Sequence, residues 1–434
     1  MRGHIGLIDK LFRLKKYKSS VRIELIAGIT TFLTMAYIAF VNPKILGATG
    51  MDQSALIAVT CLVTAVSTIV VGIFTNTPVA MAPGMGLNAF FAYSLVLGGI
   101  VNWETALGIV FLSGLLFLVL TLLGIRQAIV RSVPHSLVIS ISVGLGVFIA
   151  FIGLVNLGLV VKNEATMVGL GSINSEVLIG LFGLLVMIIL EMKRIKGSLF
   201  IGILSATTVA IILGKVKLPS SLISLNVNIS PIAFKMDILG ALKWSFIGAI
   251  FSLMFMDLFD SLGTLVAIAY EADLVDKDGN IPKLGRLLAI DAAATMFGGI
   301  MGTSTTTSYL ESVSGVEEGG RTGLTSIFTG LIFLSGLVFI PAIGMVPSYA
   351  TAPALIMVGL FMMRRIGEIN FKDLEVAVPC FLVIVLISLT YSISSGLAFG
   401  FIFYVLIKII LRKFDKIPLI LWVIFGLSIL HLVL

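Results

Sequence analysis

Gly302-Thr-Ser-Thr-Thr-Thr-Ser-Tyr-Leu-Glu-Ser-Val-Ser-Gly315 lies deep in a chain whose other segments are almost unbroken apolar runs. Branching at Cβ stiffens Thr303, Thr305, Thr306 and Thr307 and favours extended backbone over helix. A helix can then start near Ser308, because a serine side chain accepts from the free N–H groups of a first turn. Five extended residues cover about 16 Å and eleven helical ones about 16 Å, which together just cross a hydrocarbon layer of about 30 Å. The break therefore falls near the middle of the bilayer. Irregular backbone at that depth survives only where protein or a watery cavity satisfies it, so the stretch reads as the wall of a binding site.

Outward from it, the chain of 434 residues is 58% hydrophobic and 12% charged. Its mean hydropathy is +1.15, the balance of a polytopic membrane protein. Basic, polar residues 1–22 lead into a full-length apolar span with no small-residue cleavage site, which reads as a retained first helix. Cys61 and Cys380 both sit in apolar runs and read as packing residues, and His4, His135 and His431 are too scattered to form a ligand cluster. The net charge of +7 does not imply nucleic acid. When spans alternate from a cytoplasmic start, Lys44, Lys162, Lys215, Lys217, Lys235 and Lys243 fall outside. The rest of the 29 Lys+Arg fall inside, among them Arg126, Arg131 and Lys277. That asymmetry follows the positive-inside rule and supports fourteen crossings with both termini cytoplasmic.

The expected fold is therefore an all-α polytopic membrane protein of 14 transmembrane segments in a 7+7 inverted repeat. Residues 23–214 form the first repeat, 215–242 an outer connection and 243–412 the second repeat. Residues 413–434 form an apolar tail that is interfacial or partly immersed. The third segment of each half is interrupted. Thr77-Pro-Val-Ala-Met-Ala-Pro-Gly-Met-Gly-Leu-Asn-Ala-Phe-Phe91 holds Pro78, Pro83, Gly84 and Gly86, so it reads as a strand near 79–83 and a helix from Gly84. Seven crossings per half force the halves into opposite orientation. Matched Gly/Pro breaks in such halves point to a midplane transport site.

Carboxylates gather around these breaks. Asp257, Asp260, Ser261 and Thr264 fall at i, i+3, i+4 and i+7 on the eighth crossing, one polar stripe on an apolar helix. A charge at bilayer centre costs roughly 2.5–3.5 kcal/mol on insertion scales, so an acid there is functional or paired. Glu311 stands one turn into the half-helix after the threonines, where it suits either ligand binding or the helix dipole. With Asp257 it could accept two N–H donors from a flat heterocycle. Nearby acids in low dielectric also favour protonating one of them, which makes a proton carrier. Asp291, with Thr295 four residues on, is placed as a brace. Asn88 faces the midplane or caps and packs. Phe90 and Phe91 stack on a ligand or fill the core. Glu24, at a span end, is given no special role. No Walker loop, His-Glu-x-x-His, Gly-x-Ser-x-Gly or Cys-x-x-Cys motif occurs, so pumps and common membrane enzymes lack support.

Four ordered motifs carry a likeness: Ala27-Gly-Ile-Thr-Thr-Phe-Leu-Thr-Met-Ala-Tyr-Ile38, Ala82-Pro-Gly-Met-Gly-Leu-Asn-Ala-Phe-Phe91, Asp257-Leu-Phe-Asp-Ser-Leu-Gly-Thr264, and Glu311-Ser-x-x-Gly with Glu318-Gly-Gly-Arg-Thr-Gly323. Across essentially its whole length the chain resembles the adenine/guanine/hypoxanthine permeases, the azaguanine-type branch of the nucleobase:cation symporters. The resemblance implies a core domain, 23–124 plus 243–345, sliding against a gate domain, 125–214 plus 346–412. It implies purine binding by Asp257 and Glu311, assisted by Asn88 and Asp260, with Tyr309 and Phe90 as further substrate contacts. Uracil and xanthine relatives carry Glu where this chain has Asp257, so their contact distances do not transfer.

The expected function is purine import by proton symport, with sodium as the other candidate coupling ion, Asp260 and Asp291 as coupling or supporting acids, and no metal or cofactor. Backbone N–H groups at the half-helix starts, Gly86–Asn88 and Ser308–Leu310, are expected to meet ring nitrogens or a carbonyl. Homodimer formation is left open. The competing readings are an anion transporter of the same architecture and a non-transporting membrane receptor or enzyme.

Overall fold

Side-chain caps set where seven of the helices described below begin. The structure, a computed structural model, describes Asp9, residues 11–124, 132–275, Ile281 and residues 283–433. His4, Arg126, Arg131 and Lys277 lie outside the described residues, as does the side chain of His431. Helix α1 spans Val21–Met35 and starts where the Ser20 hydroxyl accepts from the Ile23 N–H. After a break at Tyr37 comes α2 (Ile38–Gly47), then α3 (Gln53–Thr75), capped by Asp52. Strand β1 (Met81–Pro83) leads into α4 (Met85–Ala89), which continues as π-helical turns over Phe90–Val96. Asn102 caps α5 (Trp103–Leu122), and α6 (His135–Leu157) follows.

A small hairpin, β2 (Val160–Asn163) with β3 (Met167–Leu170), precedes α7 (Ser175–Met192) and α8 (Ser198–Ile212). In the second half, α9 (Ile247–Glu271) and α10 (Leu284–Met301) lead to β4 (Thr306–Ser308) and α11 (Ser312–Glu317). The chain ends with α12 (Gly323–Ser335), α13 (Ser348–Met363), α14 (Leu374–Thr390), α15 (Ile393–Ile410) and α16 (Leu419–Val433).

Ten helices among the described residues are long and apolar enough to cross a membrane, and shorter apolar helices cover Met85–Val96, Ser198–Ile212, Leu374–Thr390 and Leu419–Leu430. The last of these, expected as an interfacial tail, is a helix packed along α15 with Leu421 and Ile424 buried. Packing falls into two groups. In one, α12 lies on α1 and α3, and α10 on α5; in the other, α6 lies on α13 and α14, and α7 on α8 and α13.

The two strands are the irregular centre. They pair antiparallel, Met81 with Ser308, Ala82 with Thr307 and Pro83 with Thr306. Ladder bonds run from the Gly84 N–H to the Thr305 carbonyl and from the Tyr309 N–H to the Ala80 carbonyl, each 2.9 Å. Bonded pairs alternate in such a ladder, so Pro83–Thr306 is a non-bonded pair and proline's missing N–H costs nothing. Side chains satisfy the backbone groups that turn away from the partner strand. The Thr68 hydroxyl accepts from the Met81 N–H at 2.9 Å and donates to the Met81 carbonyl at 3.0 Å.

The second break falls later than the sequence suggests. Expected as a strand over 303–307 with a helix from Ser308, it is a strand over Thr306–Ser308 with a helix from Ser312. Ser308 spends its hydroxyl on Asp291 instead of capping, and Tyr309 extends the ladder, so the chain passes through a turn at Leu310 and Glu311 before the helix begins. Upstream, Gly302 ends α10 at φ +95°, where a Cβ would lie 2.7 Å from the Ile232 carbonyl oxygen.

Glu24 also departs from expectation. Fully buried at the start of α1, its carboxylate accepts from the N–H groups of Arg321, Thr322 and Thr325 at 3.2–3.3 Å and from the Thr325 hydroxyl. It thus caps α12 from another helix and neutralises the positive end of its dipole. Nearby, α3 and α12 cross at Gly72 and Gly323, where a Cβ on Gly323 would run into the Gly72 carbonyl. Gly323→Val should therefore lower stability by roughly 1–3 kcal/mol as overpacking against rigid backbone. Thermal unfolding of the detergent-solubilised protein measures it, and an unchanged midpoint would refute this crossing.

Candidate functional site

The paired strands bring together side chains from six elements. On α9, the inner face of the polar stripe is buried. Asp257, Ser261 and Thr264 are enclosed, while Asp260 on the next face is exposed. The Ser261 hydroxyl lies 2.6 Å from Asp291 Oδ2 and 2.7 Å from the Thr307 hydroxyl. Ser308 donates to Asp291 Oδ1 at 3.1 Å. Asp291 of α10 thus ties α9 to β4.

Asp257 is served differently. Its Oδ2 lies 2.9 Å from the Thr295 hydroxyl, which also lies 2.9 Å from the Thr306 carbonyl oxygen. Asp257 Oδ1 is buried with no protein partner among the described residues. Two other acids, Asp291 and Asp260, act on Asp257 electrostatically.

Glu311 sits just before α11, half-buried, and its Oε1 accepts from the Tyr37 hydroxyl at 2.7 Å. Tyr37 is buried at the break between α1 and α2, so that break aims a phenol into the site. Asp260 faces the electrostatic influence of Glu311, and Leu310 beside Glu311 is 55% exposed. The acids therefore form two sets. Asp257 and Asp291 are buried behind the strand; Asp260 and Glu311 look out from it.

The remaining expected contacts are used internally. Asn88 is fully buried, its Oδ1 accepting from the Ser304 hydroxyl and its amide 3.5 Å from the Pro83 carbonyl, so it fastens α4 to the chain before β4. Tyr309 donates its hydroxyl to the same Pro83 carbonyl at 2.6 Å. Phe90 and Phe91 are enclosed in the apolar core. Of the proposed backbone donors, Gly86 lies in the first turn of α4, whereas the Asn88 N–H is already bonded to the Gly84 carbonyl at 2.8 Å. Ser308 lies in a strand and Leu310 in the turn after it, so neither starts a helix, for the reason given above.

Sequence reasoning missed Tyr37, Thr295 as a ligand of Asp257, and Asn42. The Asn42 amide donates to Thr60 at 2.7 Å and Thr303 at 3.3 Å, holding α2, α3 and the approach to β4 together. Tyr37 could have been found from the Thr-Met-Ala-Tyr run, where a polar ring ends an otherwise apolar helix. Among the described residues no cluster of three or more His, Cys, Asp or Glu could hold a metal ion.

Residues 22–399 match a family model described as a permease family. The chain is 40% identical over 430 residues to the adenine permease AdeQ of Escherichia coli, covering 99% of this chain and 97% of that protein. It is 40% identical over 441 residues to the guanine/hypoxanthine permease PbuG of Bacillus subtilis, covering 97% and 98%. Among solved structures, the transmembrane domain of a cyanobacterial bicarbonate transporter, BicA, matches with a TM-score of 0.64 at 16% identity, covering 87% of this chain and 97% of that one.

Ser261→Ala and Ser308→Ala should each destabilise by about 1–3 kcal/mol, because each leaves buried Asp291 short of a donor. Since both serve one carboxylate, the double variant should depart from additivity by at least about 0.5 kcal/mol. A double-mutant cycle on thermal unfolding reads this; strict additivity would separate the two contacts.

Proposed function

Because the chain belongs to the permease family, within the nucleobase-ascorbate transporter superfamily, we propose that it imports purine nucleobases by proton symport across the cell membrane. It is a multi-pass, non-enzymatic transporter. The observation that carries the purine reading is the outward-looking pair Asp260 and Glu311 beside the buried Asp257, at strands where two interrupted segments meet. Adenine, guanine and hypoxanthine all present ring N–H groups, and two of them an exocyclic amine; carboxylates are the matching acceptors. Tyr37 orients the Glu311 carboxylate, and Asp257 is the proton-carrying acid. An anion site would want cations or free helix N-termini; this one gathers acids.

The architecture supports fourteen crossings. The ten long helices are joined by Met85–Val96, Ser198–Ile212, Leu374–Thr390 and the strand-and-helix segment from Thr306 to Glu317. The two packing groups support a core of 23–124 plus 243–345 that moves against a gate of 125–214 plus 346–412. At one end of their junction the Ser94 hydroxyl of the core meets the Tyr391 carbonyl of the gate, where Tyr391 packs edge-on to Phe148 at 5.2 Å. At the other end Asp260, Gly263 and Val266 are uncovered. With a cytoplasmic N-terminus, an acid uncovered on that side supports an inward-facing reading of this conformation.

Uptake of labelled hypoxanthine into proteoliposomes, under separate pH and sodium gradients and with unlabelled competitors, tests the reading. Uptake should follow the pH gradient, each proton contributing about 2.3 kcal/mol per 100 mV. Asp257→Ala should abolish purine uptake with membrane insertion intact; undiminished adenine or hypoxanthine uptake would refute the assignment. Tyr37→Phe should raise the purine KM by roughly fivefold, the factor for one ordinary hydrogen bond holding Glu311.

A further inference from the structure

The Thr295 hydroxyl has one proton and two neighbours that both want it. It stands 2.9 Å from Asp257 Oδ2 and 2.9 Å from the Thr306 carbonyl oxygen. A hydroxyl donates once and accepts through its lone pairs. If Asp257 is ionised, both neighbours are pure acceptors, and one contact is left without a proton. If Asp257 carries a proton on Oδ2, it donates to Thr295, which donates to Thr306, and every contact is satisfied.

The surroundings favour the second arrangement. Asp257 is buried, its Oδ1 has no protein partner among the described residues, and the charged groups acting on it are Asp291 from α10 and Asp260 from its own helix. Glu311, before α11, adds a third acid beyond Asp260. Thr295 shares its hydroxyl with the Thr306 carbonyl and Thr307, the other hydroxyl acting on Asp257, shares its with Ser261, so the buried carboxylate is poorly compensated.

The Thr306 carbonyl is no idle acceptor. Thr306 stands opposite Pro83 at the non-bonded pair of the ladder, so its carbonyl turns away from β1 toward α10, where Thr295 supplies its donor.

We propose that Thr295 is a positioning residue that couples the protonation of Asp257 to strand β4. In this conformation the proton passes no further than Oδ2, and the chain Asp257–Thr295–Thr306 is complete. When the proton leaves, the Thr295 hydroxyl turns to the carboxylate and the Thr306 carbonyl loses its donor inside the protein, so the strand crossing senses the loaded proton. For its role in transport the inference rests on the proton-coupled reading above.

Infrared difference spectra of the purified full-length protein, wild type minus Asp257→Asn at neutral pH, test the first half without any substrate. A protonated-carboxyl band belonging to Asp257 is expected. Thr295→Val should shift that band and Thr295→Ser should leave it in place. Absence of the band at neutral pH overturns the proposal, and so does a band that ignores Thr295→Val. Should Thr295→Val not fold, the wild-type and Thr295→Ser spectra still decide on the presence of the proton.

The second half is read from uptake. Stimulation of labelled hypoxanthine uptake by an inward proton gradient should fall about fivefold in Thr295→Val, the factor for one ordinary hydrogen bond, and recover in Thr295→Ser. Unaltered stimulation in Thr295→Val overturns the coupling. A band present in a protein that moves no purine keeps the Asp257–Thr295 relay and removes the purine assignment, so the two failures are distinguishable.

Discussion

A peptide group inside a bilayer has no water to bond, and leaving one unpaired there costs several kcal/mol. This constraint shapes the centre of the molecule more than any single contact. Helices solve it internally, but the three-residue strands β1 and β4 cannot, because the N–H and C=O groups of a strand point sideways and find no partner within it. They pair with each other, and polar side chains on the surrounding helices supply the rest. Thr68 serves both backbone groups of Met81, Tyr309 serves Pro83, and Thr295 serves Thr306. The dense threonine and serine content around the strands is thus a set of backbone substitutes for water.

The same economy explains why Asn88 and Tyr309, natural ligand groups by residue type, are turned inward. Each holds an interruption together. Glu24 works in the same manner at a helix start, lending one carboxylate to three backbone N–H groups of another helix. Helices α1 and α12 are locked by that contact and by close glycine crossings, which makes their group a stiff body. Stiffness matters because both strands must keep register while the surrounding helices shift. A one-residue slip would send every threonine to the wrong face.

Much of this was legible in the sequence, for identifiable reasons. The threonine run and the Pro/Gly run each break an apolar pattern, and such breaks cannot hide in a membrane protein. The polar stripe of α9 is a periodicity signal, so the spacing alone sets Asp257 and Ser261 on one helix face. The start of α11 was misjudged because Ser308 looks like a cap and in fact bonds Asp291, a tertiary contact that no local rule contains. Glu24 was passed over as a span-end acid for the same reason: its partners lie about three hundred residues away. Tyr37 and Thr295 escaped because a phenol or hydroxyl on an apolar helix is common, and only a neighbour's unmet need gives it a role.

The division of the acids into two pairs has a physical consequence. An acid that looks outward can exchange with water and meet a ligand, at the expense of weaker electrostatic contrast, since water screens it. A buried acid is felt strongly but can change charge only if the protein around it changes hydrogen bonds. Asp260 and Glu311 are of the first kind, Asp257 and Asp291 of the second. Asp291 receives two hydroxyls, Ser261 and Ser308, and is compensated where it stands. Asp257 shares the Thr295 hydroxyl with a strand carbonyl and has an oxygen with no hydrogen-bond partner among the described residues. Of the four, it is the acid whose charge the fold leaves least balanced, and the one placed to move backbone when that charge changes.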